Sequence, residues 1–465
     1  MKRILFFTVL CVSFLTLEAQ TITWTGAGDG TNWSDFNNWD LSMLPTDSHD
    51  VIIPDGSKVT IDQVAYSKSI EVQGASTLTI NHSLQIFNNS LFSENTLVNW
   101  RYGGLLGPTE PSRDKVVITN YGTMNIDRPE PSFYSPTIFY LTFKNEGLIN
   151  FINGSLIVGT ASVLNNQPKG IIDLGEDSFG IGNAYGFGLC CGVVNNYGTI
   201  LKTKGVDVTS NIVEVNNYGV IVAMSGTIKF LEEFQFYNSP EGIIKGTASI
   251  DISELTNYSN EGAFSPGASP GTLTFIGDFT SSPSSKIDIE LNGLNQGVEY
   301  DHLAIQGDAV LDGIVDVTMG FEGNINDEFT VVTTTGTINS CNLPMTTTAQ
   351  FNGRHYDFSV ECKNDDKLVL TIMDIALSVD TNQLSSSEVL LFPNPVDRGF
   401  ILKNNGNEHL ISAVIIDLNG RIVKEYDLSE MEKEQYISLS NYASGKYLIK
   451  IKSETQSITK YILKL

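Results

Sequence analysis

The chain has 465 residues, 17% of them charged, and its 53 acidic groups against 28 basic ones give a formal net charge of −25. Nearly all of that excess lies in residues 1–379, which carry 42 acidic and 18 basic side chains, whereas residues 380–465 carry 11 and 10. An acidic body repels phosphate backbones and anionic headgroups, so the composition argues against nucleic acid and acidic membrane surfaces as partners.

Lys2 and Arg3 precede an apolar to weakly polar run, Ile4–Leu17, followed by Glu18 and Ala19. This is the pattern of a secretory signal, residues 1–19, cut near Ala19. The run is too short to span a bilayer, and no later stretch is long enough. Cys11 follows the bulky Leu10, which does not suit lipid attachment, and it leaves with the signal. The four remaining cysteines enter an oxidising setting in which bridges persist. Cys341 and Cys362 stand 21 positions apart, and a bridge between them would contribute roughly 3 kcal/mol through loop closure. Cys190 and Cys191 are adjacent and could form a vicinal bridge or stay as thiols; sequence does not choose among the pairings. No histidine or CxxC spacing supports a metal site.

Residues 20–50 place Trp24, Trp33 and Trp39 among glycines, asparagines and Asp29, Asp35 and Asp40. The segment TWTGAGDGTNWSDFNNWD resembles the opening of surface proteins of the Bacteroidetes, where a tryptophan-rich loop leads into a β-solenoid. A solenoid needs such a cap, because its terminal coil would otherwise expose core and edge hydrogen bonds. Two functional readings stand beside the cap: calcium held by the aspartates, though without EF-hand spacing, and a sugar stacked on a tryptophan.

From Val51 the pattern alternates with period two (VIIP, KVTID, SIEV, TLTI, SLQIF), which predicts short strands separated by Gly, Asn and Ser. Between Asn120 and Phe264 a glycine followed two places on by a large apolar residue recurs at Gly122, Gly147, Gly170, Gly198, Gly219, Gly242 and Gly262, with spacings of 25, 23, 28, 21, 23 and 20. In five of these an asparagine stands two places before the glycine: Asn120, Asn145, Asn196, Asn217 and Asn260. A period of this size predicts a solenoid, over residues 51–340, in which each coil buries its apolar face only by stacking on its neighbours. Glycine and asparagine are expected at its corners because they tolerate tight turns. Insertions are expected near 88–115, 128–140 and 175–193, and the aromatics Trp100, Tyr102, Tyr134 and Tyr185 within them are candidate glycan contacts.

Residues 257–340, with SPGASPG, then YDHLAIQGDAVLDG, resemble the last coils of autotransporter-like β-helix passengers. That resemblance implies an all-β chain with a right-handed parallel β-helix, used in that group for surface exposure and adhesion. Closing strands are expected over 341–377 and a polar linker over 378–387. The last segment, 388–465, carries LFPNPV (Leu391, Phe392, Pro393, Asn394, Pro395), a turn at Asn419 and Gly420, then SGKYLIKI with Gly445 and Tyr447, and a tail with Lys460 and Lys464. It resembles the type A C-terminal sorting domain of the type IX secretion system. The resemblance implies a small Ig-like β-sandwich, passage across the outer membrane, and removal of the domain by a sortase-like transpeptidase of the secretion machinery. It also implies frequent attachment of the body to surface lipopolysaccharide, alongside an unknown glycan or protein ligand.

Catalytic patterns are sparse. Gly267-Ala268-Ser269-Pro270-Gly271 matches a nucleophile elbow, but Pro270 lacks the N–H that would serve the oxyanion hole. The five histidines are scattered. Carboxylates such as Asp173, Glu176 and Asp177, or Asp301 beside His302, would matter only if coil register gathered them on one face. The sequence therefore favours a secreted adhesin or structural surface protein without cofactor, the alternative being a β-helix polysaccharide lyase or hydrolase.

Overall fold

The computed structural model describes residues 20–109, 115–128, 135–175, 180–183, 192–211, 213–231, 235–268, 270–377, 389–406, 408–417, 420–453 and 456–465. The chain divides into two compact units that meet in sequence at Ala376 and Leu377. Among the described residues, the only helical element is a short 3-10 turn, Phe36–Asn38.

The first unit is a parallel β-solenoid. Short strands, mostly of three to six residues, alternate inward and outward side chains, and each pairs in parallel with the equivalent strand of the next coil. One face is an eleven-stranded sheet running from Gln20–Thr23 to Asn257–Asn260, and a second is a twelve-stranded sheet from Lys58–Ile61 to Ile314–Met319. The third is carried by a six-stranded sheet (Ala65–Ser67 to Gly180–Gly182) and then by the sheet that begins at Val208–Asn211. In-register pairing stacks like on like. Ile118, Phe143, Leu164, Val194, Val215 and Phe236 form one inner column of the first face, each nearly inaccessible to solvent. Each such side chain contributes about 1.5–3 kcal/mol by leaving water, and only its neighbours in adjacent coils make that burial complete.

Asparagines form a second inner column. Asn120, Asn145, Asn166, Asn196, Asn217, Asn238 and Asn260 are all buried. Each Nδ2 donates to the Oδ1 of the next, at 2.9, 2.8, 2.7, 2.7, 2.7 and 2.7 Å, and Asn260 ends the run on Ser285 Oγ at 3.1 Å. Spare amide protons reach backbone carbonyls at the corner, as from Asn217 to Gly219 O. Two members, Asn166 and Asn238, stand four rather than two places before their glycine, because Pro168 and Pro240 lie in longer corners.

The seven repeat glycines do sit at the corner between the first and second faces, but the expected reason for them needs correction. Their φ angles are not in the left-handed region. What excludes a side chain is the coil before: a Cβ at Gly147 would lie 2.2 Å from Gly122 O, one at Gly219 2.3 Å from Gly198 O, and one at Gly262 2.2 Å from Gly242 O.

Both ends of the stack are covered. At the start, Gln20–Thr23 adds the first strand of the first face, with Ile22 beside Val51, while Trp33 N donates to Thr60 O and so covers the second. Trp39 packs edge-on against Trp24 and Trp33, with ring centroids 5.1 and 4.7 Å away, and all three indoles are buried. Buried Asn38 ties the loop together by accepting from Gly28 N and Gly30 N and donating to Asp29 and Asn32 O. At the far end the strands turn antiparallel: Glu328–Thr334 pairs with Lys367–Leu377, and Thr346–Phe351 pairs with Arg354–Lys363. A disulfide, Cys341–Cys362, joins this hairpin to the preceding strand Ile338–Cys341.

The second unit is a small antiparallel sandwich. Its three-stranded sheet holds Val389–Phe392, Gly399–Asn404 and Glu434–Ser438; its four-stranded sheet holds Ile422–Asp427, Leu410–Asp417, Gly445–Ser453 and Ser457–Lys464. Val389, Phe400, Leu402, Ala413, Ile415, Ile437, Ile449, Ile451 and Ile462 fill the space between them.

Candidate functional site

Coil register decides which of the sequence candidates can meet a ligand. Trp100 cannot: it is fully buried, stacked between Ile80 and Ile126, and its Nε1 donates to Tyr102 O and Gly103 O at 3.2 Å. The expected insertion near 88–115 is, over its described part, an ordinary coil with strands Ser90–Phe92, Leu97–Trp100 and Gly104–Leu106. Tyr102 is half-buried in the turn that follows. Tyr134 and Tyr185 lie outside the described residues, as do residues 1–19, Glu176, Asp177, Cys190, Cys191, Ser269, Asn419 and the linker. In the cap, the oxygens proposed for calcium serve the loop itself. Asp29 accepts from Asn32 N, Thr31 N and Asn38 Nδ2, which hold its carboxyl well below the usual range, and Asp35 accepts from Asn37 N and Asp29 N.

One recess that the structure forms was not legible in the sequence. It occupies about 660 Å³ on the outer surface of the second face. Parallel register brings Val222 beside Lys245 and Lys245 beside Ser265; further along, Asp288 lies beside Asp316. Pro266, Gly267 and Ala268 line one wall of the space, and Glu290 and Thr318 lie two positions along the strands. Lys286 bridges the carboxylates, at 2.9 Å from Asp288 and 3.4 Å from Asp316. Hydrogen bonding to Asp288 raises the ammonium of Lys286, while burial raises the carboxyl of Asp288 against the pull of that lysine. The result is a concave surface with acceptors at its centre and ammonium groups beside them, suited to donors such as hydroxyls or amines.

Asp301 holds the wall of this recess. Its two oxygens accept from Gly271 N and Glu290 N, each at 2.9 Å, so one carboxylate ties Gly271 to the strand Lys286–Leu291. Burial raises its carboxyl to about 6 despite those two donors. Between about pH 4 and about pH 6 the folded group retains a proton that the unfolded group releases, so its contribution to stability falls as pH rises through that window. Asp301→Asn is expected to abolish this component. Urea midpoints of both proteins on either side of the window check it, and an unchanged pH dependence in the variant would contradict the assignment. The neighbouring His302 is pushed down by burial and contacts Thr333 Oγ1 at 2.9 Å.

A further feature comes from the tyrosines that follow the corner asparagines Asn196 and Asn217. Tyr197 and Tyr218 stack in parallel on the outer side of the first face, 4.9 Å apart, and Tyr237 meets Tyr218 edge-on. Beside them Asn165, Asn195 and Asn216 form an outer amide ladder.

In the second unit, the LFPNPV motif is built into the end of the chain. Asn394 accepts from Leu463 N and donates to Tyr461 O, while Val396 N donates to Leu463 O and Leu465 N to Val396 O. Pro393 and Pro395, both in cis peptides, flank Asn394. Leu391 and Phe392 end the first strand, Gly420 takes the left-handed turn after Asp417, and Gly445 opens the long strand in which Tyr447 donates to Ala443 O. Lys460 is partly buried, which lowers its ammonium, and Lys464 is almost wholly buried beside Leu465 O.

A parallel β-solenoid with both ends closed, followed in the chain by an antiparallel sandwich whose entry motif docks on its own final strand, is a two-unit all-β architecture. Residues 390–464 match the family described as the secretion system C-terminal sorting domain. This domain marks the chain for secretion by the type IX system, to the exterior or to the cell surface across the outer membrane. The comparison with curated proteins gives no match.

Proposed function

We propose that the exported chain is a surface-displayed adhesin or structural scaffold whose solenoid holds a ligand-binding face away from the cell. Supporting this reading above all is the continuity of the stack: seven buried asparagines bonded in series across consecutive coils make a stiff, elongated support. Removal of residues 388–465 after export, by a sortase-like transpeptidase, and attachment of the body to lipopolysaccharide belong to the same proposal. The recess around Lys245, Lys286 and Asp288 is its binding surface for a glycan or protein.

A second reading, a polysaccharide lyase or hydrolase, draws on one observation: Asp288 and Asp316 sit side by side in that recess, and burial acts on Asp288. Carboxylates in unequal environments are what acid–base cleavage of a glycosidic bond requires. Incubation of the purified full chain with a glycan panel separates the two. Retention without product supports the adhesin; turnover that disappears in Asp288→Asn overturns it. Export itself is tested in a type IX-competent host with the full chain and a version ending at Leu377. The full chain is expected at the surface or in the medium and the shortened one inside the outer membrane; equal exposure of both overturns the sorting role.

A further inference from the structure

The sorting unit exposes an apolar row across all four strands of its larger sheet. Antiparallel register places Ile422 opposite Ile416, Ile416 opposite Leu448, and Leu448 opposite Tyr461. Ile422 is 63% exposed, Leu448 39% and Tyr461 64%, although the reverse side of the same sheet is closely packed core. A contiguous apolar row left in water marks a surface that another molecule covers. Its charges are one-sided. On the strand Gly445–Ser453 the outward positions are Lys446, Leu448, Lys450 and Lys452, all exposed, while Glu425 and Asp427 lie on the opposite edge strand, Ile422–Asp427. In register, Lys450 faces Val414 and Thr459, and Lys452 faces Ser412 and Ser457, so among the described residues no carboxylate stands opposite either lysine on an adjoining strand.

The smaller sheet also exposes Phe392 and Tyr436, on either side of Ile401. There, however, Lys403 lies directly opposite Glu434, so that surface carries no consistent sign.

We propose that the row Ile422–Ile416–Leu448–Tyr461, with Lys446, Lys450 and Lys452 beside it, is the face by which the folded sorting domain docks onto the secretion machinery, on a protein surface with an apolar centre and an acidic rim. This rests on the assignment of residues 390–464 as a sorting domain. Apolar side chains at the centre supply the affinity, and the uncompensated ammonium groups select an acidic partner and speed its encounter.

The test compares full-length chains in a type IX-competent host. One variant carries Leu448→Ser and Tyr461→Ser, a second carries Lys446→Glu, Lys450→Glu and Lys452→Glu, and a third carries Tyr436→Ser on the smaller sheet. All five residues changed to serine or glutamate on the larger sheet point outward on strands whose core side is untouched, and melting of each purified chain verifies that it folds. The first two variants are expected to reach the surface at least about tenfold less than the parent, the loss that about 1.4 kcal/mol of docking energy produces, with unchanged melting; Tyr436→Ser is expected to be exported normally. Normal export of both larger-sheet variants, while the chain ending at Leu377 stays inside, overturns the docking face and leaves the sorting role intact. Export of the shortened chain as well overturns the underlying assignment. Loss of export only with Tyr436→Ser moves the docking site to the other sheet, and protection of Leu448 and Tyr461 from solvent labelling in the purified chain assigns the row to an intramolecular contact; either outcome overturns the proposal.

Discussion

Asn196→Leu is expected to destabilise the solenoid by about 2–5 kcal/mol, although leucine matches asparagine in shape and is the more hydrophobic. The reason is what it leaves behind. Asn166 Nδ2 donates to Asn196 Oδ1, and Asn196 Nδ2 donates to Asn217 Oδ1, both at 2.7 Å and fully buried. Substitution strands a donor on one side and an acceptor on the other, and each buried orphan costs about 1–3 kcal/mol. The ladder's first member provides the control. Asn120 lies in register with Phe92, and its Oδ1 has no partner. Asn120→Leu therefore removes one orphan while creating one, at Asn145 Oδ1, and should cost markedly less. Urea unfolding followed by circular dichroism measures both. Equal losses at the two positions would show that packing alone, and not the amide chain, carries the effect.

Gly219→Ala is expected to cost about 2–4 kcal/mol, more than a glycine replacement in a turn normally does. An added Cβ would stand 2.3 Å from Gly198 O and 2.7 Å from the carbonyl carbon of Tyr197. Both atoms are backbone and cannot rotate away, so the coils must separate at the corner where Val220 N donates to Gly198 O at 2.8 Å. Gly56→Ala offers the contrast. Gly56 has φ +76° with nothing within 4 Å of the added carbon, so the cost there is conformational, about 1–2 kcal/mol. A smaller loss at Gly219 than at Gly56 would return the repeat glycines to the turn-conformation explanation.

These two substitutions mark where linear pattern and folded structure part. Strand alternation, the recurring glycine and the landmarks of the sorting domain are local, so they read directly: a side chain's distance from the next glycine or proline is a property of the chain itself. The solenoid and the antiparallel unit after it follow from that information. The asparagine ladder was only partly visible, since Asn166 and Asn238 are displaced by longer corners containing Pro168 and Pro240, and only stacking shows that all seven amides occupy one column. Trp100 reads as a loop aromatic when residues 88–115 are taken as an insertion; in the folded chain Leu97–Trp100 is an ordinary coil strand, and register with Ile80 and Ile126 turns the indole inward. The recess depends on coil register most of all. Lys245, Asp288 and Asp316 are tens of residues apart in the chain and become neighbours only when successive coils align. Local sequence thus determined that the chain would coil and that its last segment would sort it. Which outward side chains share a surface was decided by the lengths of corners between strands, a sum over whole coils that no single motif contains.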